Sequence, residues 1–329
     1  MDIPTGQLDV PALRVLAFGS ISLAAGSVVR LWLLRGRRDE KSRERRASLL
    51  VWWLLLLAIF GSAAVGPYGI ALLFTLVTLY ALTEFVPWVA RDGGDRRIAV
   101  TAMALVPLQY LAIIHGYEPA GWLMLPVGSL LVIGSLQALR GHTDGFIRAV
   151  GGMYWGLIVF GFLPSLAARL ADHPPGDSAA ATGWYLYVML LTPFSDIAQA
   201  LVGRQWGRRR ITPVVSPHKT WEGFIGGLIL TGLASLLLAP CLTPWNWWSA
   251  ISRDSAAAMA ATVNAFTAGA LLCAVGFLGD IHVSAMKRDV GVKDSGDLLP
   301  GQGGMIDRID SLTFTGTTFY LLVASWTAF

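Results

Sequence analysis

The sequence predicts an all-α fold, a polytopic bundle of about ten membrane-spanning helices. Three observations carry that prediction. Charged residues are only 14% of the 329-residue chain and apolar ones 54%, where a soluble domain carries roughly 25% charged residues. Ten runs of roughly 17–25 mainly apolar residues succeed one another. Lys and Arg are segregated: 21 lie in alternate loops and one, Arg253, in the loops between them. So little polar surface excludes a soluble globule. Intrinsic disorder, a collagen-like fibre and a disulfide-stapled secreted domain are excluded too. Cys241 and Cys273 form neither a disulfide framework nor a metal pattern.

The runs occupy 12–34, 48–65, 67–90, 98–114, 122–139, 149–170, 183–203, 224–241, 259–283 and 311–329. The first six, within 1–182, form an N-terminal helical scaffold. The last four, within 183–329, carry the polar interruptions. The Lys- and Arg-rich loops are 35–47, 91–97, 140–148, 204–223 and 284–310. The positive-inside rule puts these on the cytoplasmic side and both termini outside. The net charge of +4 thus reports topology, and no nucleic-acid partner is expected. The first ten residues lack a basic n-region, so no cleavable signal peptide is expected.

Charge concentrates near the C-terminus, with six acidic and four basic residues between Asp280 and Asp310. Asp280, Ser284, Lys287 and Arg288 share one face if span nine continues as helix. Asp307 and Asp310 share a face at the start of span ten. A short connection would gather Asp280, Asp307 and Asp310 at the membrane surface. Convergent carboxylates call for a cation, and hard oxygen ligands favour Mg²⁺. Lys287, Arg288, Lys293, Arg308 and the GQGG stretch at 301–304 supply what a polyphosphate needs. The implied chemistry is phosphoryl or nucleotidyl transfer.

A second interruption runs from Asp196 to Gly223. Asp196 lies within span seven, and an ionisable residue at that depth is functional by default. Arg204, Arg208, Arg209, Arg210 and Lys219 form a basic patch. Ser216 and Pro217 read as the N-cap and first residue of the next helix, which would aim free N–H groups at an anion. Glu84, near the inner end of span three, reads either as lining the same cavity or as a helix-end carboxylate paired with Arg91 or Arg96. His282 faces away from Asp280 and reads as packing.

The C-terminal segment resembles the signature of the phosphatidate cytidylyltransferases, also called CDP-diacylglycerol synthases. The matching positions are Ser284, Met286, Lys287-Arg288, Lys293-Asp294, Gly296, Leu299, Pro300, Gly303-Gly304, Met305, Asp307-Arg308, Ile309 and Asp310. The earlier segment is similar to the same family through Asp196, Gly203-Arg204, Gly207-Arg208 and Ser216-Pro217-His218-Lys219-Thr220-Trp221-Glu222-Gly223. Two positions depart from the pattern. Gln302 replaces a His, keeping a hydrogen-bond donor but losing a group that carries a proton near neutral pH. Ile197 stands where a small hydroxyl residue is usual.

The resemblance implies transfer of CMP from CTP to phosphatidate or a similar lipid phosphate, giving CDP-diacylglycerol and pyrophosphate. Asp280, Asp307 and Asp310 would then hold Mg²⁺ and do the catalytic work with Lys293 and Asp294. Ser284, Lys287, Arg288, Arg308 and Gln302 would serve CTP and its phosphates. Arg204, Arg208, Ser216, Lys219 and Asp196 would serve the lipid phosphate. A second cation, contacts with membrane lipids and a homodimer are further expectations. The expected location is a bacterial inner (plasma) membrane, with the active site facing the cytoplasm. The departures keep alternatives open: a paralogue using another lipid phosphate, a CTP-dependent lipid kinase, or a catalytically silent lipid-binding protein or transporter.

Overall fold

The computed structural model describes residues 10–35, 40–141, 143–172, 178–250, 254–296, 298 and 303–327. Gln302 therefore lies outside the described residues. The fold is helical, in the order α1 (Val10–Leu33), α2 (Glu40–Val65), α3 (Pro67–Val89), α4 (Gly93–Met103), α5 (Leu105–Ile114), α6 (Glu118–Leu123), α7 (Ser129–Leu139), α8 (Phe146–Gly156) and α9 (Leu163–Arg169). Then come α10 (Ser178–Trp206), strands β1 (Arg210–Thr212) and β2 (Ser216–Thr220), α11 (Trp221–Leu242), α12 (Trp247–Ala250), α13 (Ser255–Asp289) and α14 (Ile306–Thr327).

Among the described residues, nine helical stretches are long and apolar enough to cross a membrane. They match the first nine predicted spans. The tenth falls on α14, which is helical but rich in Ser and Thr. Its Ser311, Thr313 and Thr315 are buried as it packs against α9 and α13, so protein covers this polar face. Exposed Phe18, Ile21, Leu57, Leu72, Leu131 and Leu237 form the kind of apolar surface that marks a membrane contact.

Prolines shape the interior of three spans. Pro107, Pro126 and Pro164 carry no N–H for the carbonyls four residues earlier. α4 gives way to α5 at Ala104, and π-helical turns occupy Met124–Gly128 and Leu157–Phe162. Asp92 starts α4 by accepting from the N–H groups of Gly94 and Asp95. Asp254 starts α13 by accepting from Ala256. Each satisfies donors that a helix start otherwise leaves open.

One continuous core links the early helices to the late ones. α10 packs on α11, α11 on α13, and α13 on α14. At Gly279 a Cβ would stand 2.6 Å from the Asp310 carbonyl oxygen. That lets α13 and α14 approach backbone to backbone, as small residues do in membrane interfaces.

The stretch read as the start of a helix at Ser216 is instead β2. It pairs antiparallel with β1, Arg210 opposite Thr220 and Thr212 opposite Ser216. Both strands of so small a sheet are edges, and an edge tolerates Pro217. The helix begins five residues later, capped by Thr220, whose hydroxyl accepts from Gly223 N. Ser216 therefore presents no helix N-terminus.

Candidate active site

α13 runs unbroken to Asp289, so Asp280, Ser284 and Lys287 lie along one helical face. Asp280 and Ser284 touch, the Ser284 hydroxyl donating to Oδ1 at 3.2 Å. The other Asp280 oxygen pairs with Lys219 of β2, Nζ to Oδ2 2.6 Å. The hairpin thus delivers one ammonium to the helix. Lys219 also approaches Gln199 Oε1 of α10 at 3.5 Å and lies 5.6 Å from the centre of the Phe277 ring. Burial works against its charge, but Asp280 and Asp196 outweigh that and hold the ammonium above its ordinary pKa.

Asp196, Asp280 and Asp310 are close enough to act on one another's charge. All three also act on Lys219. Asp196 Oδ1 is sealed from solvent and accepts no hydrogen bond among the described residues.

Asp307 takes a different set of partners. Lys287 Nζ meets its Oδ1 at 2.6 Å. Its Oδ2 accepts from Ser295 N at 2.9 Å, Ser295 Oγ at 3.0 Å and Gly304 N at 3.1 Å. Lys287 and Ser284 are buried; Lys293, Asp294, Arg204 and Arg208 are exposed. Arg308 is half-buried near Asp196. Arg288 turns toward the hairpin, its Nε donating to Val215 O at 3.3 Å and its Nη1 to Val292 O at 2.9 Å.

The structure therefore brings the predicted residues into two neighbouring groups joined by α13. One is Asp196, Lys219, Asp280, Ser284 and Asp310. The other is Lys287 and Asp307. Among the described residues, no three His, Cys, Asp or Glu side chains are gathered as a metal cage. Mg²⁺ seldom uses one. It takes one or two carboxylates and completes its shell with water and substrate phosphates. Asp280 paired with Lys219, with Asp196 and Asp310 within electrostatic reach and an orphaned oxygen on Asp196, supplies donors of the right chemistry for such an ion.

Sequence reasoning left Glu84 between two roles, and the structure gives it a third. It does not pair with Arg91, which instead meets Asp95 at 2.9 Å. Glu84 Oε1 accepts from Met305 N at 2.9 Å. Its Oε2 accepts from Ile306 N at 3.1 Å and shares the single Ser295 hydroxyl proton, at 2.9 Å, with Asp307 Oδ2. The only signal in the sequence was a carboxylate near the end of an apolar span. Ser295, neutral and unremarkable in sequence, was missed altogether. His282 packs between Trp155 and Phe314, with ring centroids 5.5 and 5.4 Å away.

Fold and site define a polytopic helical membrane protein with lysine–carboxylate pairs set along α13. Comparison with known proteins makes this particular. Residues 46–326 match the family described as the cytidylyltransferase family. The Escherichia coli (strain K12) protein named Uncharacterized protein YnbB is 35% identical over 302 residues, covering 92% of this chain and 94% of its own. The Synechocystis (strain PCC 6803) phosphatidate cytidylyltransferase is 31% identical over 321 residues, 95% of this chain and 91% of its own. The Mycobacterium tuberculosis (strain H37Rv) phosphatidate cytidylyltransferase is 27% identical over 307 residues, 83% and 80%. The chain belongs to the cytidylyltransferase family, and it is a nucleotidyltransferase.

Proposed function

We propose that the chain transfers CMP from CTP to phosphatidate or a similar lipid phosphate, forming CDP-diacylglycerol or its analogue and releasing pyrophosphate. The observation that carries this reading is the arrangement on α13, where the Lys219–Asp280 pair and the Lys287–Asp307 pair are set within two helical turns of each other. One pair suits a lipid phosphate arriving from the membrane, the other a nucleotide polyphosphate arriving from water.

In the reaction an oxygen of the lipid phosphate attacks the α-phosphorus of CTP. The bond from that phosphorus to the oxygen bridging toward the β-phosphate breaks, and pyrophosphate leaves with the electron pair. The nucleophile is already an anion, so no strong general base is required. Lys219, with Arg204 and Arg208 nearby in sequence, holds the lipid phosphate. Lys287, Arg308 and Lys293 hold the CTP phosphates, and Lys287 is kept in place by Asp307. Asp280, Asp307 and Asp310, with Asp196 nearby, would hold Mg²⁺, which when bound neutralises negative charge on the phosphates. Alignment and charge neutralisation supply most of the rate.

The excess of Lys and Arg in alternate loops supports a cytoplasmic site with both termini outside, in a bacterial inner membrane. Gln302 and Ile197 favour a second reading inside the same chemistry, an acceptor lipid phosphate other than phosphatidate. A panel of lipid phosphates separates the two.

The test uses purified protein, radiolabelled CTP, Mg²⁺ and phosphatidate. Labelled CDP-lipid is expected, and Asp307→Asn is expected to abolish it. Robust conversion by the Asp307→Asn variant would overturn the assignment.

A further inference from the structure

We propose that Glu84, contributed by the N-terminal helices, is a positioning residue that holds the nucleotide side of the site in its binding-competent shape. The proposal rests on the nucleotidyl-transfer reading above and adds to it a specific requirement of CTP binding.

Glu84 lies 211 to 222 residues in sequence from the groups it binds. Two of them, Met305 N and Ile306 N, belong to the start of α14. A helix start leaves such donors without intrahelical partners, and a carboxylate there is stabilised by the helix dipole as well. The third donor, the Ser295 hydroxyl, stands between Glu84 Oε2 at 2.9 Å and Asp307 Oδ2 at 3.0 Å. Glu84 thus ties Ser295 to the start of α14, the helix that carries Asp307, and Asp307 in turn holds Lys287.

The glycines of the signature agree with this role. A Cβ on Gly304 would collide with Ser295 Oγ and Glu84 Oε2 and stand 2.6 Å from Glu84 Oε1. On Gly296 it would stand 2.8 Å from Glu84 Oε1. Gly303 has φ +78, and a Cβ there would stand 2.6 Å from Asp307 Oδ2. Gly296 and Gly304 are therefore bare where the Glu84 carboxylate presses against the backbone. This gives the small residues of the motif a cause outside the motif.

The consequence is specific to one substrate. Without Glu84 the Ser295 and Gly304 flanks populate the bound shape only part of the time. Apparent affinity for CTP falls by that fraction, while turnover of the saturated enzyme persists. The lipid site, built on Lys219 and the hairpin, keeps its affinity. Gln in place of Glu84 retains one accepting oxygen but sets an NH₂ group against donors. Hydrogen bonds to a charged acceptor are among the stronger ones, so a loss of about tenfold or more is expected.

The experiment measures CTP and lipid kinetics, equilibrium binding of labelled CTP, and amide hydrogen exchange around 304–306, on the full chain in detergent–lipid micelles. Glu84→Gln is expected to raise the CTP KM and Kd at least tenfold, leave kcat and the lipid KM within about twofold, and speed exchange at Met305 and Ile306. Ser295→Ala, which keeps the two backbone bonds, is expected to give a smaller shift in the same direction and serves if Glu84→Gln fails to fold. A fall in kcat at unchanged CTP KM, or unchanged exchange at 305–306, would overturn the proposal. If the unaltered chain binds no CTP, the nucleotidyl-transfer reading fails instead, and the exchange result still judges whether Glu84 holds α14.

Discussion

Removing the Lys219 charge tests the electrostatics of the site quantitatively. In the structure Lys219 is the ammonium closest to Asp280, at 2.6 Å, and it also acts on Asp196 and Asp310. Two unit charges 2.6 Å apart interact by about 6 kcal/mol at an effective dielectric near 20, and by about 1.6 kcal/mol in bulk water. The two side chains keep 19% and 21% of their exposure, so solvent screens part of the larger value. A coupling of about 2–4 kcal/mol follows. Lys219→Met alone leaves half-buried carboxylates without that cation and is expected to cost about 3 kcal/mol of folding stability. Asp280→Asn alone leaves Lys219 beside two other carboxylates and is expected to cost less. The double variant removes both charges, so its cost falls short of the sum by the coupling energy. The assay is reversible unfolding of the micellar protein followed by circular dichroism, run on all four proteins. A coupling below about 0.5 kcal/mol, the range of an exposed surface pair, would show that Lys219 and Asp280 do not form a shielded pair.

Two further outcomes follow from the geometry. Asp92 is pulled down to about 2 from the ordinary 3.8, first by the Arg140 hydrogen bond and then by the Asp95 backbone N–H. Its stabilisation is therefore present above 3.8 and lost as pH falls toward 2. In Arg140→Ala the carboxyl-carbon NMR titration of Asp92 is expected to move up toward 3.8, and an unmoved midpoint would refute the pairing. Gly279→Ala forces a Cβ against the Asp310 backbone carbonyl, which cannot swing aside. It is expected to cost about 1–3 kcal/mol and to lower CDP-lipid formation. Gly134→Ala, where nothing lies within 4 Å, serves as the control and should leave both unchanged.

The span plan was legible because lipid makes a helix satisfy its backbone internally over a fixed length, and that leaves a run of apolar residues in the sequence. The face of α13 was legible too, since Asp280, Ser284 and Lys287 keep helical spacing and the helix does continue. The hairpin at 210–220 was not. Ser-Pro reads equally well as a helix cap, and only the pairing with Arg210–Thr212 decides between them. The proline-induced breaks near 104, 124 and 157 left the hydrophobic runs intact and so gave no signal in hydropathy. Glu84 was ambiguous for a different reason. Its partners are backbone N–H groups more than 200 residues away, and backbone groups carry no mark in the sequence.

In the proposed reaction the α-phosphorus of CTP ends on a lipid phosphate. The most direct measurement supplies purified protein with phosphatidate, Mg²⁺ and CTP labelled in parallel reactions at the α- or the γ-phosphate. α-Label is expected to enter the lipid fraction as CDP-lipid while γ-label leaves as pyrophosphate. Transfer of γ-label to the lipid would identify a kinase and contradict CMP transfer, as would the absence of label from lipid across the whole panel of lipid phosphates.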